Sequence, residues 1–148
     1  GVLNYFVGRA YYEDDNFKHK NPQVSKDIVG FELHVNWNYP VCLVEGAFDA
    51  IAIRRNAIPL FGKTIPDQLK HRIIENNVKV IYICLDQDAR KQAIETAEYF
   101  MANGVDVYFV DIEEKDPSDI GFGKINNILA ETQKLTSEWL IEQRILGI

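Results

Sequence analysis

Apolar runs of the length of buried β-strands end in carboxylate side chains at three places in this chain. The three acidic ends are Glu45-Gly46, Asp86-Gln87-Asp88, and Asp111 with the acidic loop that follows it to Asp119. The carboxyl ends of parallel strands lie at one edge of the sheet, and ligands of α/β proteins bind at that edge. Carboxylate oxygens are the ligands that Mg²⁺ and Mn²⁺ prefer. The pattern therefore predicts a divalent-cation site at the carboxyl edge of a parallel sheet.

Strands and helices alternate along the chain, which is typical of βαβ units and a mostly parallel sheet. The predicted strands are 5–9, 31–35, 41–44, a short strand from 58, 79–85 and 105–110. The predicted helices are 47–56, 66–75, 89–101, 125–131 and 136–146. Ala50, Ile51 and Ile53 are expected on the apolar side of the first helix, and Asn103-Gly104 is expected to end the third. The fold class predicted is α/β, a sheet flanked by helices.

The net charge of −6 over 148 residues argues against tight, independent binding to duplex nucleic acid, which usually needs a basic patch. Carboxylates of a metal site account for part of that charge, and bound cations would reverse the local field. Cys42 and Cys84 lie inside apolar runs and are expected to pack in the core in a reducing compartment. Two cysteines and three histidines cannot supply a four-ligand zinc finger at these spacings.

The sequence contains no apolar run of the length that crosses a membrane and no secretory signal. We therefore expect no membrane partner. The chain begins at Gly1 rather than Met, and we expect it to be an excised piece of a longer protein.

The acidic residues allow more than one role. Asp86 and Asp88 stand two apart, so both can face one cation at a strand end; the alternative is that Asp88 caps the next helix. Glu45 could bind a metal ion or act as a general base. Asp49 lies one helical turn after Glu45 and can share its face, or it could serve as a charge at the helix N-terminus. Asp116 and Asp119 are further candidate ligands in a polar loop.

These segments resemble the TOPRIM domain, which DnaG-type primases, topoisomerases and some nucleases share. The family pattern is a Glu-Gly after one strand and an Asp-x-Asp after another, matched here by Glu45-Gly46 and Asp86-Gln87-Asp88. The helix carrying Asp49 is similar to the primase version. Lys115-Asp116-Pro117-Ser118-Asp119 resembles the primase acidic loop, but Ser118 stands where an Asp is usual. The resemblance leaves open which of Asp116 and Asp119 reaches a metal ion.

The amino-terminal part is similar to the end of the basic subdomain that precedes TOPRIM in these primases. The matching residues are Gly8-Arg9, Lys18, Asn21 with Pro22, and Lys26. In the family such residues face nucleotide and template phosphates, so the resemblance implies that Arg9, Lys18, Asn21 and Lys26 bind nucleotide or nucleic acid. It divides the chain into a basic-subdomain remnant at 1–38, a TOPRIM core at 39–120 and carboxyl-terminal helices at 121–148.

Lys63 is a further candidate phosphate contact. Gly62-Lys63-Thr64 looks like the end of a P-loop, but Ala57 stands where the first glycine should be, so an ATPase P-loop is excluded. A loop near the active site remains the prediction. In the last helix, Trp139 with Leu140, Ile141 and Leu146 is expected to dock an apolar face onto the core.

The resemblance implies a primase catalytic core that synthesises short RNA primers with Mg²⁺ or Mn²⁺. Its implied partners are a single-stranded DNA template, ribonucleoside triphosphates and a replicative helicase, in the bacterial cytoplasm. The small size favours a phage-type enzyme or an excised core. The alternatives are a TOPRIM nuclease, in which the same acids activate water, and a non-catalytic TOPRIM module that binds DNA or proteins, as in recombination mediators.

Overall fold

A four-stranded parallel sheet forms the centre of the computed structural model, which describes residues 3–10, 19–110, 112 and 117–147. Its strands are β3 (Val41–Val44), β4 (Ala57–Pro59), β5 (Val80–Cys84) and β6 (Asp106–Phe109), in the order β4-β3-β5-β6. All three neighbouring pairs are parallel. A separate antiparallel pair, β1 (Gly8–Arg9) and β2 (His19–Lys20), precedes the sheet. The predicted α/β class with a mostly parallel sheet is confirmed.

The helices lie close to their predicted positions. They are α1 (Ala47–Ile53), α2 (Asp67–Glu75), α3 (Arg90–Ala102), α4 (Pro117–Ile120), α5 (Phe122–Glu131) and α6 (Ser137–Ile145). Gly104, with φ of 75°, follows the end of α3 in the left-handed conformation that glycine adopts without strain. Among these described helices, none is both long and apolar enough to cross a membrane.

Of the strand predicted at 5–9, only Gly8–Arg9 forms a strand. Two further local predictions are wrong. Residues 31–35 do not form a strand: Phe31 has a left-handed φ of 56°, and Glu32–His34 forms a 3-10 turn after it. The first helix ends at Ile53 rather than at 56, because Arg54 turns into the left-handed region with φ of 60°. Neither change is signalled by a glycine or proline, and so the sequence pattern did not show them.

Burial of β3 on both faces organises the core. Its side chains alternate between two apolar clusters, as the two-residue period of a strand requires. Val41 and Leu43 face the cluster that α2 and α3 cover, while Cys42 and Val44 face the cluster that α1 and α5 cover. All four side chains are at most 1% exposed. The sheet is therefore sandwiched between two helical layers, which leaves its strand ends as the place for polar side chains.

The two cysteines pack in the core, as predicted. Both are free thiols and both are buried in the cluster below α1 and α5. Burial raises the pKa of Cys42 to about 12. The thiolate, which is the reactive form, is thus disfavoured, and these side chains act as small apolar groups.

The last helix docks on the core through only part of its predicted apolar face. Trp139 and Leu140 pack against the apolar cluster that α2 and α3 cover. The centre of the Trp139 ring lies 5.5 Å from the centre of the Phe109 ring. Ile141 and Leu146 are exposed, so the prediction is wrong for them, as it is for the exposed Ile51 on α1. Arg144 completes the docking of α6 by donating two hydrogen bonds to Glu98 of α3, at 2.6 and 2.5 Å.

The amino-terminal segment packs beside the end of β4. Gly30 touches Pro59 so closely that an added Cβ would lie 2.4 Å from the Pro59 carbonyl oxygen. The Tyr5 and Phe61 rings are 4.9 Å apart, and Lys26 Nζ donates to the Phe61 carbonyl at 2.9 Å. These contacts place Lys26 next to the loop after β4. The division of the chain at residues 38 and 120 stays a prediction.

Leu43→Ala should lower the free energy of unfolding by about 2–5 kcal/mol, because it leaves a cavity beneath the sheet. Leu33→Ala is the matched control, since Leu33 is 93% exposed and its loss should change stability by less than about 0.5 kcal/mol. Urea denaturation followed by circular dichroism measures both. Equal midpoints for the two variants would contradict the central position of β3.

Candidate metal centre

Glu45, Asp86 and Asp88 converge at the carboxyl edge of the sheet. Glu45 directly follows β3, while Asp86 and Asp88 come just after β5. Because β3 and β5 pair in parallel, with Val44 opposite Cys84, the two chain segments leave the sheet side by side. One carboxylate oxygen from each acid lies within 4.8 Å of the other two. We call these three residues the acidic triad.

Glu45 is a partly buried member of the acidic triad. Within the described part of the chain, its buried Oε2 atom has no hydrogen-bond partner. Burial raises the pKa of Glu45, and the neighbouring charge of Asp86 raises it further. A buried carboxylate oxygen without a donor costs free energy. A divalent cation would remove that cost, since three carboxylates supply the hard oxygen ligands that Mg²⁺ and Mn²⁺ take. The residues therefore fit such an ion.

Asp49 has a structural contact next to the acidic triad. It is the third residue of α1, and its Oδ2 accepts a hydrogen bond from the Gly46 N–H at 3.1 Å. This bond satisfies one of the amide groups that a helix N-terminus leaves unpaired. The carboxylate also contributes to the raised pKa of Glu45. Asp49 thus supports the turn that carries Glu45, and a role as a metal ligand stays a prediction.

Asp88 is held by a lysine rather than by the helix that follows it. The N-cap residue of α3 is Ala89. The Lys63 ammonium forms an ion pair with Asp88 Oδ2, and the contact raises the pKa of Lys63. Lys63 comes from the loop between β4 and α2, so the segments after β4 and β5, the two strands that flank β3, supply the pair. The sequence predicted Lys63 as a phosphate contact and gave no sign of this ion pair.

The acidic loop holds two of the predicted ligands. Asp116 lies outside the described residues. Asp119 is exposed on α4 and does not belong to the grouping of three acids that the described residues form. Their roles as ligands stay predictions.

Two of the predicted basic residues lie in one groove. Lys26 and Lys63 both line a groove of about 500 Å³ beside the loop after β4. Lys70 of α2 lines it too, with its ammonium 3.0 Å from Asp67 and 5.3 Å from the centre of the Tyr99 ring. We call this feature the lysine groove. Sequence reasoning missed Lys70, whose position in the first turns of α2 was the available signal.

The remaining predicted phosphate contacts are less defined. Lys18 and the side chain of Arg9 lie outside the described residues, although the Arg9 backbone forms β1. Asn21 is half-buried, and its Oδ1 atom finds no hydrogen-bond partner among the described residues. Their roles in binding nucleotide or nucleic acid stay predictions.

A parallel sheet with acids at its carboxyl edge defines an α/β domain with a candidate cation site. More particularly, the Toprim-like family model matches residues 42–120, and the chain belongs to that family. Toprim domains bind divalent metal ions through acidic residues, and the acidic triad is the candidate group here. The predicted TOPRIM resemblance is confirmed.

Two curated relatives come from mycoplasmas. The chain is 32% identical over 109 residues to the uncharacterized protein MG010 of Mycoplasma genitalium, covering 68% of this chain and 50% of the relative. It is 30% identical over 102 residues to the MG010 homolog of Mycoplasma pneumoniae, covering 65% and 48%. The chain thus spans about half the length of the curated relatives it matches.

A solved structure with a similar fold is the primase of Aquifex aeolicus, in its zinc-binding and RNA polymerase domains. The match has a TM-score of 0.69 and 24% identity, and covers 91% of this chain and 38% of that one. It shows that the fold is shared, and the expected likeness to a primase fold is confirmed at this level.

Mn²⁺ binding should weaken as the pH falls through the raised pKa of Glu45, because a protonated carboxyl no longer attracts the cation. The loss of Mn²⁺ affinity should begin at a pH above the ordinary glutamate pKa of about 4.3. Electron paramagnetic resonance of free Mn²⁺, followed from neutral pH down to the ordinary glutamate pKa, measures it. Asp106→Asn, at the opposite edge of the sheet, is the control and should bind like wild type. Affinity independent of pH over this range would contradict the assignment.

Proposed function

We propose that this chain is the catalytic core of a DNA primase, which synthesises short RNA primers on single-stranded DNA by metal-dependent nucleotidyl transfer. The observation that carries the proposal is the acidic triad, whose carboxylates converge at the sheet edge with one buried oxygen unpartnered. The fold shared with part of the Aquifex aeolicus primase supports it. So does the extent of that match, which covers 91% of this chain, more than the Toprim-like region at 42–120.

Glu45, Asp86 and Asp88 would hold Mg²⁺ or Mn²⁺. Bound there, the cation would neutralise the charge of the transferring phosphoryl group and stabilise the attacking and leaving oxygens. Glu45 has a second role in this proposal, as the base that accepts the proton of a primer 3′-hydroxyl, and its raised pKa makes its carboxylate a stronger base than an ordinary glutamate. Asp49 holds the turn that aims Glu45, through its bond to Gly46.

The lysine groove would take the phosphates of the incoming ribonucleoside triphosphate. Lys63 lines the groove and also pairs with Asp88. The groove therefore lies next to the acidic triad. Lys26 and Lys70 add positive charge along it. Asp27 and Asp67 also line the groove, so its three lysines exceed its acids by one charge, a balance opposite in sign to the net charge of −6 of the chain. Arg9, Lys18 and Asn21 would extend the phosphate contacts towards the template.

The whole protein would work in the bacterial cytoplasm, encoded by the cell or by a phage, with a replicative helicase as its partner. Asp116 and Asp119 would complete the acidic edge. These parts of the proposal rest on the family resemblance and on the location of the acidic loop after β6.

The test is primer synthesis on single-stranded DNA with labelled ribonucleotides and Mg²⁺ or Mn²⁺. Asp86→Asn keeps the size of the side chain but removes its charge, and it should lower synthesis at least about a hundredfold, as loss of one charge-stabilising group does in enzymes. Asp106→Asn is the matched control, because Asp106 pairs with Lys134 at the amino end of β6. It should keep wild-type synthesis.

Two outcomes would overturn the proposal. Metal-dependent loss of the template without RNA products would assign the acidic triad to a nuclease. Binding of single-stranded DNA with neither activity, in a protein that also fails to bind nucleotide, would assign the chain to a non-catalytic module.

A further inference from the structure

Lys63 joins two features that have separate roles in the proposed function. Its ammonium contacts Asp88, one arm of the acidic triad, while its side chain lines the lysine groove. Lys63 and Asp88 lie 25 residues apart in the chain, so only the fold brings them together. The Lys63 ammonium therefore occupies the position next to Asp88 that a bound metal cation would take.

An ammonium group and a divalent cation repel each other at contact distance, and one carboxylate oxygen cannot serve both without cost. The Lys63–Asp88 pair is also open to solvent, with side-chain exposures of 37% and 68%. Exposed ion pairs of this kind are weak. A divalent ion that gains Glu45 and Asp86 as additional ligands can therefore displace the lysine from Asp88.

The displaced side chain has a place to go. Gly62, the residue before Lys63, has no atom within 4 Å of the position that a Cβ would occupy, so the loop is not packed tightly there. The lysine groove on the same side already holds Lys26, whose ammonium is anchored on the Phe61 carbonyl at 2.9 Å. Lys63 itself lines this groove and its side chain is partly exposed, so open space lies beside it on the side away from Asp88.

We propose that Lys63 competes with a divalent cation for Asp88, so that cation binding releases Lys63 into the lysine groove. The inference rests on the proposed function, because it takes the acidic triad as the cation site. Release adds a free ammonium to the groove only after the cation has bound. Binding of cation and binding of phosphate are then coupled, and the coupling is reciprocal.

The first test measures the affinity for Mn²⁺ alone by electron paramagnetic resonance, without nucleotide. Lys63→Met removes the competing charge and should tighten Mn²⁺ binding about three- to tenfold, the range expected for loss of an exposed competing ion pair and its repulsion. Lys63→Arg keeps the charge and should bind nearly as wild type does. Lys70→Met is the matched control, since Lys70 pairs with Asp67 in the same groove, and it should not tighten binding comparably.

The second test follows the lysine ammonium directly by ¹⁵N NMR during titration with Mg²⁺, with Lys63→Arg used to assign the signal. The Lys63 resonance should shift as the site fills, and the Lys70 resonance should stay in place. This readout needs no catalysis, and it separates displacement of Lys63 from a general change in surface charge.

The results separate this inference from the proposed function. If wild type binds Mn²⁺ and Asp86→Asn does not, but Lys63→Met binds with wild-type or lower affinity, the cation site stands and the competition is disproved. A Lys63 resonance that does not respond to saturating Mg²⁺ disproves it too. If neither wild type nor Lys63→Met binds Mn²⁺, the cation site itself fails, and the proposed function fails with it.

Discussion

Parallel pairing of β3 with β5 is the constraint on which the site depends. The apolar side chains of β3 are buried on both faces, so this strand can only sit inside the sheet. Its register with β5 places Val44 opposite Cys84, and the next residues along both strands reach the same edge. Glu45, Asp86 and Asp88 therefore meet there because of apolar burial several residues away. The free energy that holds these like charges together comes from the core, not from the site.

Carboxylates this close repel one another, and the structure reduces that repulsion in separate ways. Burial raises the pKa of Glu45, so its charge is easier to remove than that of an ordinary glutamate. Asp49 is tied to the helix N-terminus through Gly46, and Lys63 neutralises Asp88. The acidic triad is left with an unpartnered Glu45 oxygen within the described residues. Such unsatisfied charge is typical of sites that bind a cation, where stability is given up for function.

The sequence predicted the four strands of the parallel sheet and the meeting of Glu45, Asp86 and Asp88 at its edge, because both follow from local patterns. Apolar runs marked β3 and β5, and the carboxylates directly after them needed only the rule that parallel strands end at one edge. The errors have non-local or conformational causes. Phe31 and Arg54 take left-handed backbone conformations that their residue types do not signal. The contact of Lys63 with Asp88 links loops after different strands, so no spacing in the sequence encodes it.

The central claim is that the acidic triad binds a divalent cation, and a crystal of this chain soaked in Mn²⁺ tests it most directly. Anomalous diffraction locates the manganese without any assumption about activity. The account predicts an anomalous peak at the carboxyl edge of the sheet, coordinated by Glu45, Asp86 and Asp88, with the unpartnered Glu45 oxygen as one of its ligands. Saturating Mn²⁺ that leaves this edge empty, or that binds only at other surface acids, would contradict it.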